Sequence, residues 1–131
     1  MKKSNTTLWI TLGMIVLVIV PVVVFAVISG KNKPDESGKY DGLAQCLTEK
    51  GTKMYGAYWC SHCKTQKQMF GSSFEKIDYI ECSLPGGQGQ TDECNEAKIE
   101  GYPTWEFSDG ERMSGEVSLE ILAEKSGCGL E

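Results

Sequence analysis

Between Lys53 and Phe70 the chain changes its period once, and two cysteines mark the change. Lys53 to Tyr58 (KMYGAY) alternates and is rich in aromatic residues, the pattern of a half-buried strand, whereas Lys64 to Phe70 (KTQKQMF) carries helical spacing. Cys60 and Cys63 stand at the junction. A strand that feeds a helix within a few residues commits the chain to an α/β arrangement.

The remaining punctuation extends that frame. Leu43, Ala44, Cys46 and Leu47 recur at helical spacing, with Asp41 as a candidate N-cap and Gly51 as the stop. Asp78 to Cys82 (DYIEC) reads as a second strand, and Pro85-Gly86-Gly87-Gln88-Gly89 as a surface loop. Thr91 or Asp92 caps a helix that carries Cys94, Ala97 and Ile99 and ends near Gly101; Thr104 to Phe107 follows as an apolar strand. Asp109-Gly110 is a hairpin turn, Met113 lies on the returning strand, and Ser118 to Ser126 closes as an amphipathic helix. The order predicts a small central sheet flanked by helices on both faces.

The chemistry sits in Cys60-Ser61-His62-Cys63. A sulfur at the start of a helix lies over unpaired N–H groups and the positive end of the dipole, which stabilise a thiolate there. Two intervening residues place Cys63 one turn on, close enough to form a disulfide with Cys60 and to pass it on through a mixed disulfide. Cys60 is therefore the expected nucleophile and Cys63 the resolver. His62 between them is either a further stabiliser of the thiolate, which makes the disulfide more oxidising, or an exposed residue without a role. Trp59 is either a core aromatic or an apolar wall of the site that meets substrate peptides.

Four further cysteines complete the set of six. Cys82 ends a strand and Cys94 opens a helix, so a structural bridge across the Gly-rich loop is favoured over a redox relay to Cys60 and Cys63. Cys46 and Cys128 remain, either paired with each other or free. Zinc held by Cys60, Cys63, Cys82 and Cys94 is disfavoured, because the last two do not form a close knuckle. Haem attachment requires His directly after the second Cys, where Lys64 stands. No metal and no cofactor are expected.

Ahead of this domain, Leu8 to Ile28 holds no ionisable side chain, and 21 residues at a 1.5 Å rise reach about 30 Å, the depth of a bilayer core. The expectation is a cytoplasmic N-terminus (1–7), one transmembrane helix as an anchor (8–28), a flexible tether (29–40) and a domain over 41–131. A cleaved signal peptide is the alternative, and the run is long for one. Six cysteines in 131 residues suit an oxidising compartment, which places the domain on the extracytoplasmic side of the membrane, periplasmic or lumenal. A net charge of -5 without a basic run excludes the phosphate-neutralising surface of a nucleic-acid binder.

Tyr58-Trp59-Cys60-Ser61-His62-Cys63-Lys64, taken with Tyr102-Pro103-Thr104, resembles the thioredoxin superfamily. Tyr55-Gly56-Ala57-Tyr58, Gln66-Lys67-Gln68-Met69-Phe70-Gly71, Tyr79-Ile80-Glu81-Cys82, Gly101-Tyr102-Pro103-Thr104-Trp105-Glu106 and Ser114-Gly115-Glu116-Val117-Ser118-Leu119 narrow the likeness. They are similar to the thioredoxin-like domain of vitamin K epoxide reductase homologues, over about Asp41 to Gly127. The resemblance implies a thioredoxin-like fold, with Pro103 in the cis form and the Tyr102 backbone pairing with a bound substrate strand. It also implies oxidation of cysteines in exported proteins, with a membrane-embedded, quinone-linked partner of the vitamin K epoxide reductase kind to recharge the site. These 131 residues lack the four-helix quinone-reducing portion, so that partner would be a separate protein. Met54 stands where ordinary thioredoxins carry a buried acid, which removes the usual proton acceptor for Cys63. A reductase or isomerase of the same compartment, or a non-catalytic binding module, are the competing readings.

Overall fold

The structure, a computed structural model, describes Leu17, Val20 and residues 38–130. Two compact units divide the chain, Met1–Asp35 and Glu36–Glu131. In the first, Leu17 and Val20 are helical with exposed side chains. The second carries the sheet and the helices from Asp41 onward.

The expected fold, with one transmembrane helix ahead of the domain, needs correction. Among the described residues no helix is long and apolar enough to cross a membrane. The longest of them after residue 38 has 10 residues, about 15 Å of rise against the roughly 30 Å of a hydrocarbon core. The expected anchor, apart from Leu17 and Val20, and the tether up to residue 37 lie outside the described residues.

Four strands form one mixed sheet in the order β2, β1, β3, β4. They are β1 (Lys53–Gly56), β2 (Asp78–Glu81), β3 (Thr104–Glu106) and β4 (Arg112–Ser114). β1 runs parallel to β2 and antiparallel to β3, and β3 pairs with β4 through the hairpin. The helices are α1 (Asp41–Glu49), α2 (Ser61–Phe70), α3 (Asp92–Glu96) and α4 (Leu119–Ser126), with 3₁₀ turns at Gly71–Lys76 and Pro85–Gly87.

Neighbouring residues of β1 build two different cores, because successive strand side chains point to opposite faces. Met54 joins Leu43, Leu47, Cys63, Phe70, Trp105 and Leu122, residues of α1, α2, β3 and α4. Tyr55 joins Cys82, Cys94 and Ile99. The sheet is thus covered on both sides, and Cys60 and Cys63 belong to the larger core.

Local chemistry sets the ends of the elements. Cys60 caps α2 with its own sulfur, so the helix starts at Ser61, three residues before the KTQKQMF pattern. Tyr40, and not Asp41, is the N-cap residue of α1; Asp41 lies in the first turn, where its carboxylate is 3.6 Å from Lys76. Ser118 caps α4 by accepting from the Ile121 N–H, and Gly127 ends it in the left-handed region. α3 stops at Glu96, well short of Gly101, because Lys98 turns the chain with φ 55°.

Candidate active site

β1 ends at Gly56, and the Cys60 N–H donates to the Ala57 carbonyl (3.0 Å), so the four residues Ala57 to Cys60 turn the strand into α2. That turn leaves Tyr58 and Trp59 half exposed while the cysteines behind them are covered: Cys60 is 6% and Cys63 1% exposed. Both are free thiols.

The Cys60 sulfur accepts from the Cys63 N–H at 3.2 Å, one of the otherwise unpaired donors of the first helical turn. It also lies 3.6 Å from the Tyr102 carbonyl oxygen, to which the thiol donates. The Tyr102–Pro103 peptide bond is cis, and Pro103 is buried. Chain segments 42 residues apart therefore meet at one sulfur. Burial pushes the Cys63 thiol up to about 12, and its hydrogen bond to Cys60 adds to the effect; an Ala57 backbone hydrogen bond and the charge of Lys67 oppose it. The two sulfurs are thus unlike in setting: Cys60 at the helix start beside a cleft, Cys63 sealed behind it and held protonated.

An open cleft of about 440 Å³ borders Cys60, lined by Trp59, Ser61, His62, Glu100, Gly101 and Tyr102. The Trp59 indole N–H donates to the Ser83 hydroxyl (2.8 Å), and its ring stands edge-on to Tyr102 with centroids 6.0 Å apart. Trp59 is therefore a wall of the cleft, fixed by its polar edge, and not a core aromatic. His62 is at the rim. Its Nδ1 lies 2.7 Å from the Glu116 carboxylate, and no hydrogen bond joins its ring to either thiol.

The other four cysteines are bonded in pairs. Cys82 and Cys94 close a short loop, both fully buried, and Cys46 joins Cys128 across 82 positions. No group of three or more His, Cys, Asp or Glu side chains among the described residues is placed to hold a metal.

Several site residues carried no assignment in the sequence. Glu116 reaches His62 from 54 positions away. Glu81 accepts from the Tyr58 N–H (3.1 Å), the Ser83 N–H (2.9 Å) and the Tyr79 hydroxyl (2.8 Å), tying the turn before Cys60 to β2. Gln66, fully buried in α2, accepts from the Val117 N–H and donates to the Val117 carbonyl (2.7 and 2.9 Å), which fixes the residue next to Glu116. A glutamine on the buried side of an amphipathic helix is the signal in the sequence that points to that clamp.

No family model matches the chain. Over 93 residues, 68% of its length, the chain is 46% identical to a curated protein of Arabidopsis thaliana, Thiol-disulfide oxidoreductase LTO1. That stretch is 24% of the plant protein, so the chain spans about a quarter of the length of this relative. Over those 93 residues the chain is identical to that quarter of a thiol–disulfide oxidoreductase at nearly every second position.

Proposed function

We propose that this domain is a protein thiol–disulfide oxidoreductase that works through Cys60 and Cys63. One observation carries the reading: of six cysteines, the two left free are those at the start of α2, one bordering a cleft and one sealed behind it. The likeness to a named thiol–disulfide oxidoreductase supports it.

In the oxidised domain a substrate thiolate enters the cleft between Trp59 and Tyr102 and attacks the Cys60 sulfur. The Cys60–Cys63 bond breaks, the Cys63 sulfur leaves with the electron pair and takes a proton, and a mixed disulfide joins substrate to Cys60. A second substrate thiolate then attacks the substrate sulfur, releasing a substrate disulfide and Cys60. The Cys63 N–H that the Cys60 sulfur accepts at 3.2 Å supports negative charge on that sulfur. The Tyr102 carbonyl beside it, with Pro103, gives a substrate backbone an edge to pair with. Glu116 holds the Nδ1–H tautomer of His62, which leaves Nε2 for the entering or leaving thiol.

The finer reading is an oxidase. Cysteine-containing exported proteins are its substrates, and a membrane-embedded, quinone-linked partner of the vitamin K epoxide reductase kind recharges it. Two further disulfides in one small domain suit an oxidising, extracytoplasmic compartment. Equilibration of the purified protein in glutathione buffers measures the Cys60–Cys63 potential. A value of about −120 to −180 mV is expected; one near −270 mV makes the domain a reductase, and no reversible disulfide at all removes the enzyme reading.

A further inference from the structure

Each time the Cys60–Cys63 disulfide opens or closes, Cys63 gains or loses a proton, yet the residue is 1% exposed. Water does not reach it freely. β1 supplies no acid or base on that side of the sheet, where its residues are Met54 and Gly56, paired in register with Tyr79 and Glu81 of β2. The polar groups of that face stand one strand away.

Gly56 opens the way to them. A Cβ built at Gly56 would lie 3.2 Å from the Cys63 sulfur and 3.1 Å from the Tyr79 hydroxyl oxygen. Both atoms therefore border one point, and the missing side chain is what lets them approach it. The Tyr79 hydroxyl donates to Glu81 Oε2 at 2.8 Å, while Glu81 Oε1 is pinned by the Tyr58 and Ser83 N–H groups. Lys67 of α2 places its ammonium 3.6 Å from the centroid of the Tyr79 ring, and Phe74 packs edge-on at 5.7 Å. The charged and titratable groups around the phenol are thus Lys67 and the two thiols on the α2 side and Glu81 on its own strand. Burial and the adjacent carboxylate push the Tyr79 hydroxyl up, so it stays neutral and serves only to hand a proton across.

We propose that Tyr79 and Glu81 form the proton relay of Cys63. When Cys63 resolves a mixed disulfide, its proton passes to the Tyr79 oxygen as the Tyr79 hydroxyl proton moves to the Glu81 carboxylate. The Cys63 sulfur attacks the Cys60 sulfur, the Cys60–substrate bond breaks, and the substrate thiolate leaves with the electron pair and takes a proton from solvent. The enzyme dithiol is oxidised by two electrons and the substrate disulfide reduced by two. In the oxidase direction the protons run backwards: Glu81 takes a proton from solvent and passes it to the Tyr79 oxygen as the Tyr79 hydroxyl proton moves to Cys63 on its departure. Both residues act through Cys63 and touch no substrate, and the assignment rests on the oxidoreductase reading.

Reaction of the reduced protein with dithiobis(nitrobenzoate) separates the two. The first coloured thiolate released reports attack by Cys60, the second resolution by Cys63. Tyr79→Phe keeps the ring between Phe74 and Lys67, and Glu81→Gln is the independent second variant. At pH 7 the second phase is expected to slow by about 10-fold or more in either variant, within the range of general acid–base effects, while in Tyr79→Phe the first stays within about twofold. Between pH 7 and 10 the second phase of the variants should rise about tenfold per unit, as self-ionised Cys63 takes over, and that of the unaltered protein less steeply. An unchanged second phase, or an equal slowing of both phases with parallel pH profiles, overturns the relay. If the unaltered protein releases no second thiolate, the oxidoreductase reading itself fails.

Discussion

Cys63 should be nearly inert toward alkylation in the folded protein, and the size of the effect follows from its surroundings. Cys60→Ser leaves Cys63 as the lone free thiol among the described residues while keeping a hydroxyl at the start of α2. With the Cys63 thiol at about 12 in the unaltered protein, about one molecule in 100,000 carries a thiolate at pH 7; Cys60→Ser removes the part of the shift due to Cys60 and keeps the larger part due to burial, so this fraction is the lower bound for the variant, against about 3% for a free thiol near 8.5. Protonation alone thus lowers the rate by up to about 3,000-fold, before any exclusion of the reagent from a residue that is 1% exposed. Iodoacetamide labelling of the Cys60→Ser protein, read by mass spectrometry against a cysteine peptide, measures the ratio. The rate should climb about tenfold per pH unit through the alkaline range. Labelling within tenfold of the peptide at pH 7, in protein still folded by circular dichroism, would refute the claim that burial holds this proton.

Two further outcomes rest on the same core. Gln66→Leu strands the Val117 N–H and carbonyl in the interior at about 1–3 kcal/mol each, so a loss of about 2–6 kcal/mol from a domain total of about 5–15 is expected in urea unfolding; a loss below about 1 kcal/mol contradicts the clamp. The Cys63 proton is bound more tightly in the folded than in the unfolded chain, so its contribution is fully present below the ordinary thiol pKa and is lost as pH rises from there toward 12. Comparing urea midpoints of Cys60→Ser with and without Cys63→Ala from pH 7 to 10 should show the protein that retains Cys63 losing ground, and a constant difference counts against it.

What the sequence disclosed was local. The change of period at Cys60 located β1 and α2, and Asp109-Gly110 located the hairpin, because turn chemistry and periodicity act over a few residues. α3 is shorter than its punctuation suggests, since the turn at Lys98 uses a positive φ in a residue other than Gly, Asn or Asp. The 3₁₀ segment Gly71–Lys76 has no strong signature, and it is fixed from outside: the Ser72 and Ser73 hydroxyls accept from the Gly38 and Tyr40 N–H groups. The site was half legible. Cys60, Cys63 and Trp59 lie within one word, but Glu116, Gln66 and Glu81 act across 23 to 54 positions, distances at which only packing brings partners together. An apolar run of bilayer length suggested a spanning helix, which the described residues do not contain.

The division of labour between the two sulfurs is tested most directly by trapping. Cys63→Ala protein, mixed with a peptide disulfide, should accumulate a stable adduct on Cys60, while the unaltered protein turns over without one and Cys60→Ala forms none. An adduct on Cys63 in the Cys60→Ala protein at a comparable rate, or no adduct on Cys60 at all, would contradict the assignment.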